Sequence, residues 1–98
     1  MKIEKNRDGG TLTVTLGGRL DTVTSPELEK ALRDEFEGLS ELNIDFKDLD
    51  YISSAGLRVL LSAQKTMNKQ GSMTLYNVSD TIGEIFEVTG FSEILTVK

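Results

Sequence analysis

Residues Asp48–Leu61 read "DLDYISSAGLRVLL". An acidic, turn-like lead-in meets the apolar pair Tyr51-Ile52, then two serines, then a small Ala55-Gly56 step and an aliphatic run. The passage reads as a strand giving way to a helix. From Ser54 to Gln70 the apolar residues Leu57, Val59, Leu60, Leu61, Ala63 and Met67 form one broad side. Arg58, Ser62, Lys65 and Lys69 form a narrow polar stripe opposite them, at helical spacing. Gly71 follows as the stop.

Working outward, "ELNIDF" (residues 41–46) alternates apolar Leu42, Ile44 and Phe46 with polar residues, the period of a strand with one buried face. Near the N-terminus Leu12, Val14 and Leu16 alternate with Thr11, Thr13 and Thr15. Asp8-Gly9-Gly10 before them suits a tight hairpin turn, and Gly17-Gly18 reads as the end of the strand. Ser25 with Pro26, or Thr24 with Glu27, starts a first helix. That helix carries Leu28, Ala31, Leu32 and Phe36 on one face, with Gly38 at its end; Glu29–Arg33 and Arg33–Glu37 are i,i+4 pairs. After Gly71, "MTLYNV" is a further strand. Ser79 caps a short helix bearing Ile82, Ile85 and Phe86, Gly90 stops it, and "FSEILTV" closes as a terminal strand or a packed turn. After the hairpin, strands alternate with helices, which predicts an α/β fold: a mixed sheet with parallel pairs and helices packed against one side. The 98 residues are expected to form one domain spanning 1–98.

Composition removes several functions. The chain has neither cysteine nor histidine, so a disulfide framework, a thiolate or imidazole zinc site and a Ser-His-Asp triad are excluded. A net charge of −5 argues against nucleic-acid binding through bulk charge. No apolar run reaches the roughly 20 residues of a membrane span, and "MKIEKNRDGG" lacks the apolar centre of a secretory signal. The expectation is a cytoplasmic domain with no cofactor.

Three readings of Ser53-Ser54 compete. One serine can cap the helix, an interaction worth about 1 kcal/mol. A serine at a helix start can also carry a phosphoryl group, because free N–H groups and the positive dipole end tolerate it. A nucleophilic serine needs a base within reach, and neither Lys47 nor Lys65 completes a recognisable motif. Asp45, Asp48 and Asp50 are oxygen ligands of the kind Mg²⁺ prefers and raise the alternative of an acid-dependent hydrolase. Alternation instead turns Asp45 outward on a strand, and Asp48 and Asp50 are expected to shape a turn. Gly56 beside Ala55 keeps the helix start slim, so a partner can approach Ser54 closely.

"DFKDLDYISSAGLRVLL" resembles the STAS domain, and within it the bacterial anti-sigma factor antagonists. "GGRLDTVTSPELEKAL" is similar to that family's Gly-x-Leu-Asp segment and first helix, and "MTLYNVSDTIGEIFEVTGFSEIL" to its closing strand, helix and Gly-Phe step. The resemblance implies a regulatory protein and not an enzyme. Its partner would be an anti-sigma factor with serine kinase activity, whose capture frees a sigma factor. Phosphorylation two residues before the glycine, at Ser54, would switch binding off, and a metal-dependent serine phosphatase would restore it. The implied binding surface is Ser53, Ser54, Ala55, Gly56, Leu57 and Arg58 at the helix start, with Arg19 and Asp21 in the neighbouring loop. Many members carry Asp where this chain has Ser53, and the family's second serine is here Ala55. That departure leaves three alternatives: altered recognition of the site by the kinase, Ser53 as a competing acceptor, or a STAS module that binds partners constitutively or senses a ligand.

Overall fold

Gly9 adopts φ +60°, a conformation that strains any side chain, and the turn it makes sends β1 (Lys2–Asp8) back antiparallel along β2 (Thr11–Leu20). The computed structural model describes residues 1–98. β3 (Glu41–Ile52) lies parallel to β2, and β4 (Ser72–Tyr76) parallel to β3, so one sheet has the order β1-β2-β3-β4. Parallel neighbours require crossovers. These are α1 (Ser25–Arg33) between β2 and β3, and α2 (Ser54–Gln70) between β3 and β4. The third helix, α3 (Asp80–Thr89), follows β4.

The alternating residues Leu12, Val14 and Leu16 of β2, Leu42, Ile44 and Phe46 of β3, and Met73 and Leu75 of β4 are all buried on one face. Leu28 and Leu32 of α1, Leu57, Leu60, Ala63 and Met67 of α2, and Ile82 and Phe86 of α3 join them in one core. Phe86 meets Phe46 edge to face, with ring centroids 6.2 Å apart. All three helices therefore cover the same side. The other face carries the threonines of β2 with Asn43, Asp45 and Thr74, all half-buried.

Several boundaries differ from the sequence-based expectation. Gly17-Gly18 does not end β2, which continues through Arg19 and Leu20 with register shifts at Thr15/Gly17 and Gly18/Arg19. The extension gives β3 a partner, so Asp48 and Asp50 lie in a strand and not in a turn. Asp48 stands opposite Gly17, Tyr51 opposite Arg19 and Ile52 opposite Leu20. The bulges explain why this was hidden: Phe46, Leu49 and Ile52 are buried at a spacing of three, which no period-2 reading detects.

The first helix stops at Arg33, with Asp34 as its C-cap, well before Gly38. Other side chains hold the segment that follows: Arg7 donates to the Glu35 carbonyl at 2.6 Å, and Gln70 donates to the Phe36 and Leu39 carbonyls at 2.7 and 2.6 Å. The Glu29–Arg33 pair forms; Arg33–Glu37 does not. In α2 the whole polar stripe is exposed as expected, while Leu61 is only half-buried and Gln64 takes a core position. Ser79 caps α3, accepting from the Ile82 N–H, and Gly90 ends it at φ +82°. The closing segment is a 3₁₀ turn, Phe91–Glu93, followed by a single bridge from Val97 to Leu75.

Candidate functional site

The last residue of β3, Ile52, is buried opposite Leu20, and the next N–H, that of Ser53, donates to the Leu20 carbonyl at 2.9 Å. The chain leaves the sheet at this point. Ser53 is extended (φ −100°, ψ 174°), and its Oγ accepts from the Gly56 N–H at 3.4 Å. Its carbonyl accepts from the Leu57 N–H at 3.0 Å. Ser53 is therefore the N-cap of α2, half-buried and engaged through its side chain. Ser54, the first helical residue, is exposed, and its hydroxyl makes no hydrogen bond to the protein.

Gly56 fixes how closely this helix start sits on the sheet. A Cβ there would lie 2.7 Å from Leu20 Cγ and 3.0 Å from Ile52 Cγ1, inside van der Waals contact with two buried side chains. The slimness expected to admit a partner instead admits the strand ends. Gly56 and Leu57 are both buried and Ala55 half-buried, so Gly56 and Leu57 support the surface from beneath and do not lie on it. Ser54 and Arg58 are the exposed members of the sequence-derived set on α2.

The neighbouring β2–α1 turn is built around Asp21. Its Oδ1 accepts from the N–H groups of Val23 and Thr24, both at 3.0 Å. The Thr24 hydroxyl donates to the Arg19 carbonyl at 2.7 Å and accepts from the Asp21 N–H at 2.9 Å. The Thr24 N–H above all holds the Asp21 carboxyl below the usual carboxylate range, helped by the Thr24 hydroxyl, the Val23 N–H and the charge of Arg19. Neither expected cap of α1 forms. Thr24 takes the N-cap position, but no side chain caps the helix, because the Thr24 hydroxyl is committed to the turn. Ser25 is buried, with its hydroxyl donating to the Asp21 carbonyl.

Arg19 and Asp21 are brought together as proposed from the sequence, although Arg19 lies in a strand and not in a loop. Its Nε is 3.7 Å from Asp21 Oδ2, and its guanidinium sits 4.2 Å from the centre of the Tyr51 ring, in cation–π range. The sequence reading missed Tyr51 in this role, since the cross-strand register that places it opposite Arg19 depends on the bulges. It also missed Val23, 82% exposed at the tip of the turn. The starts of α1 and α2 meet across a shallow groove of about 220 Å³, lined by Thr22, Pro26 and Glu29 on one side and Ala55 and Arg58 on the other.

The acidic cluster is dispersed. Asp45 accepts from Asn77 Nδ2 at 3.0 Å and from the Lys47 N–H at 2.9 Å. The Asn77 bond is the main reason its carboxyl is held below the usual range. No three acidic side chains come together in an arrangement suited to a metal ion.

Residues 2–98 match the family model of the STAS domain. The chain belongs to the STAS domain family. It is 33% identical over 97 residues to an anti-sigma-B factor antagonist of Listeria monocytogenes, covering 96% of this chain and 84% of that one. It is likewise 33% identical over 101 residues to an anti-sigma-B factor antagonist of Staphylococcus aureus, covering 100% and 93%. The fold is that of the anti-sigma factor antagonist SpoIIAA, solved unphosphorylated (TM-score 0.80, covering 99% of this chain and 87% of that one) and phosphorylated (0.79, covering 99% and 91%), at 17% identity in each case. No helix of this STAS domain is long and apolar enough to cross a membrane.

Proposed function

We propose that this STAS domain is an anti-sigma factor antagonist, switched by phosphorylation of Ser54. The observation that carries this reading is the division of labour between adjacent serines. Ser53 spends its oxygen on the Gly56 N–H and is half-buried, while Ser54 stands exposed with its hydroxyl free. A kinase reaches Ser54 without dismantling a cap, and Ser53 is a poor competitor for the same phosphoryl group. Around it, Arg19, Asp21, Ser53, Ala55 and Arg58 form the binding surface, held in shape by Gly56 and Leu57. The partner is an anti-sigma factor with serine kinase activity, bound when Ser54 is free. That kinase moves the γ-phosphoryl group of ATP onto Ser54 Oγ, releasing ADP, and a metal-dependent serine phosphatase removes it by hydrolysis. The 98 residues act as one cytoplasmic domain that performs no catalysis and holds no cofactor, nucleic acid or membrane.

The energetics favour a switch that spares the fold. Phosphoserine adds about −1.5 to −2 charges. At a helix start that charge gains about 0.3–1 kcal/mol from the dipole. Pressed into an interface without a partner cation it costs several kcal/mol of desolvation, and every 1.4 kcal/mol is tenfold in affinity.

The test is to purify the serine-kinase anti-sigma factors encoded in the source genome, titrate each against the chain, and add ATP to those that bind. One phosphoryl group, mapped by peptide mass analysis to Ser54, is expected. A group on Ser53 contradicts the assignment. A tight partner that never phosphorylates the chain favours the constitutive module instead.

A further inference from the structure

From the charge pattern of α2 we infer that the row Ser54, Arg58, Ser62, Lys65, Lys69 docks an acidic surface on the anti-sigma factor, extending the contact well beyond the serine. The inference rests on the proposed function and names what the partner must present. Residues 54–70 contain Arg58, Lys65 and Lys69 and no Asp or Glu. With the whole chain at −5, this helix holds three positive charges while the remaining residues hold a net −8. At about 100° per residue the five positions fall within a sector of about 80°, and all five are exposed.

The cations of this row are also unspent. Lys2, Lys5, Arg7, Arg19, Lys30 and Arg33 all pair with carboxylates of the chain. Arg58, Lys65 and Lys69 pair with none, and Arg58 is the one arginine of the chain without an ion pair. In an acidic protein where α1 pairs its own charges and α3 carries only acids, an acid-free row complements negative charge from outside. The row also begins at Ser54. A phosphoryl group there sets −1.5 to −2 charges at its head and repels the same acidic surface that the three cations attract. One partner chemistry thus accounts for both attraction and release. Lys65 lies about 16 Å along the helix axis from Ser54, twice the roughly 8 Å screening length at physiological salt. Its contribution is therefore contact with the partner, not a local field on the serine.

The experiment compares wild type, Lys65→Glu with Lys69→Glu, and Lys47→Glu with Lys98→Glu, each titrated against the anti-sigma factor that binds wild type. The second pair removes two unpaired lysines elsewhere and changes net charge equally. The α2 pair is expected to slow association about tenfold or more at low salt and to flatten the dependence of affinity on salt, with unchanged melting. The control pair is expected to bind like wild type. Equal binding by the α2 pair overturns the inference, as does an equal loss in the control pair, which would mean net charge alone. Sedimentation of the chain alone supplies another outcome: a dimer abolished by the α2 pair would make a second copy the occupant and overturn the acidic partner. If wild type binds no anti-sigma factor, the functional reading fails first and this one with it; if wild type binds and the α2 pair binds equally, only this one fails.

Discussion

Two helix starts face each other across the groove, and they use their hydroxyls differently. At α1, Thr24 and Ser25 both turn back to the preceding turn, where Asp21 gathers two N–H groups and its own N–H and carbonyl are taken by those hydroxyls. Neither of these two hydroxyls is left over, and the helix goes uncapped by any side chain. At α2 a single hydroxyl suffices: Ser53 caps, and Ser54 is left with nothing to hold in the fold. The first start is a rigid frame; the second is a frame plus one free reactive group. Two sequences rich in Ser and Thr before a helix thus differ in what they leave available.

The contrast can be tested residue by residue, and the third helical position separates the two starts most. Gly56→Ala places a methyl group against Leu20 and Ile52 and is expected to cost about 1–3 kcal/mol, the range for overpacking a close-packed site. Glu27→Ala, at the matching and exposed position of α1, is expected to stay within about 0.5 kcal/mol of neutral. Urea unfolding of the two variants measures the difference; equal losses would mean that α2 does not seat on the strand ends as described.

The serines come next. Ser53→Ala is expected to cost about 1 kcal/mol by losing the cap, while Ser54→Ala is expected to lie within about 0.5 kcal/mol of wild type. A reversal of that order in the same unfolding experiment would exchange the two roles.

The smallest effect is pH dependence. The folded Asp21 carboxyl titrates below its ordinary range, so the stability it contributes is fully present above that range and is lost as pH falls through the depressed folded value. The first turn of α2 has no acidic residue. An NMR acid titration should therefore loosen the amides of Val23 and Thr24 before that of Gly56. Simultaneous loss would show that Asp21 does not set the α1 start.

Much of this was legible in the sequence because local chemistry and tertiary packing agree. The Asp8-Gly9-Gly10 hairpin, the limits of α2 at Ser54 and Gln70, the exposed stripe and the Ser79 cap follow from turn residues and apolar spacing alone. The misreadings cluster where long-range partners decide. The strand character of Asp48–Ile52 depends on β2 continuing past two glycines, and the early end of α1 depends on Arg7 and Gln70, far away in sequence. At the site, the Ser53-Ser54 motif was visible, but the burial of Gly56 and Leu57 and the stack of Arg19 on Tyr51 required the register of β2 against β3, which bulges twice.

The central claim is that Ser54 switches a surface and not the fold, and paired thermal melts and partner titrations of wild type, Ser54→Asp and Ser54→Ala test it most directly. Ser54→Ala is expected to melt within a few degrees of wild type, and Ser54→Asp no lower than wild type. Ser54→Ala is expected to bind the anti-sigma factor and to resist release by ATP. Ser54→Asp is expected to bind weakly, short of the full effect of phosphate because it carries less charge. Ser54→Asp binding like wild type, or losing binding only because it has unfolded, would contradict the account.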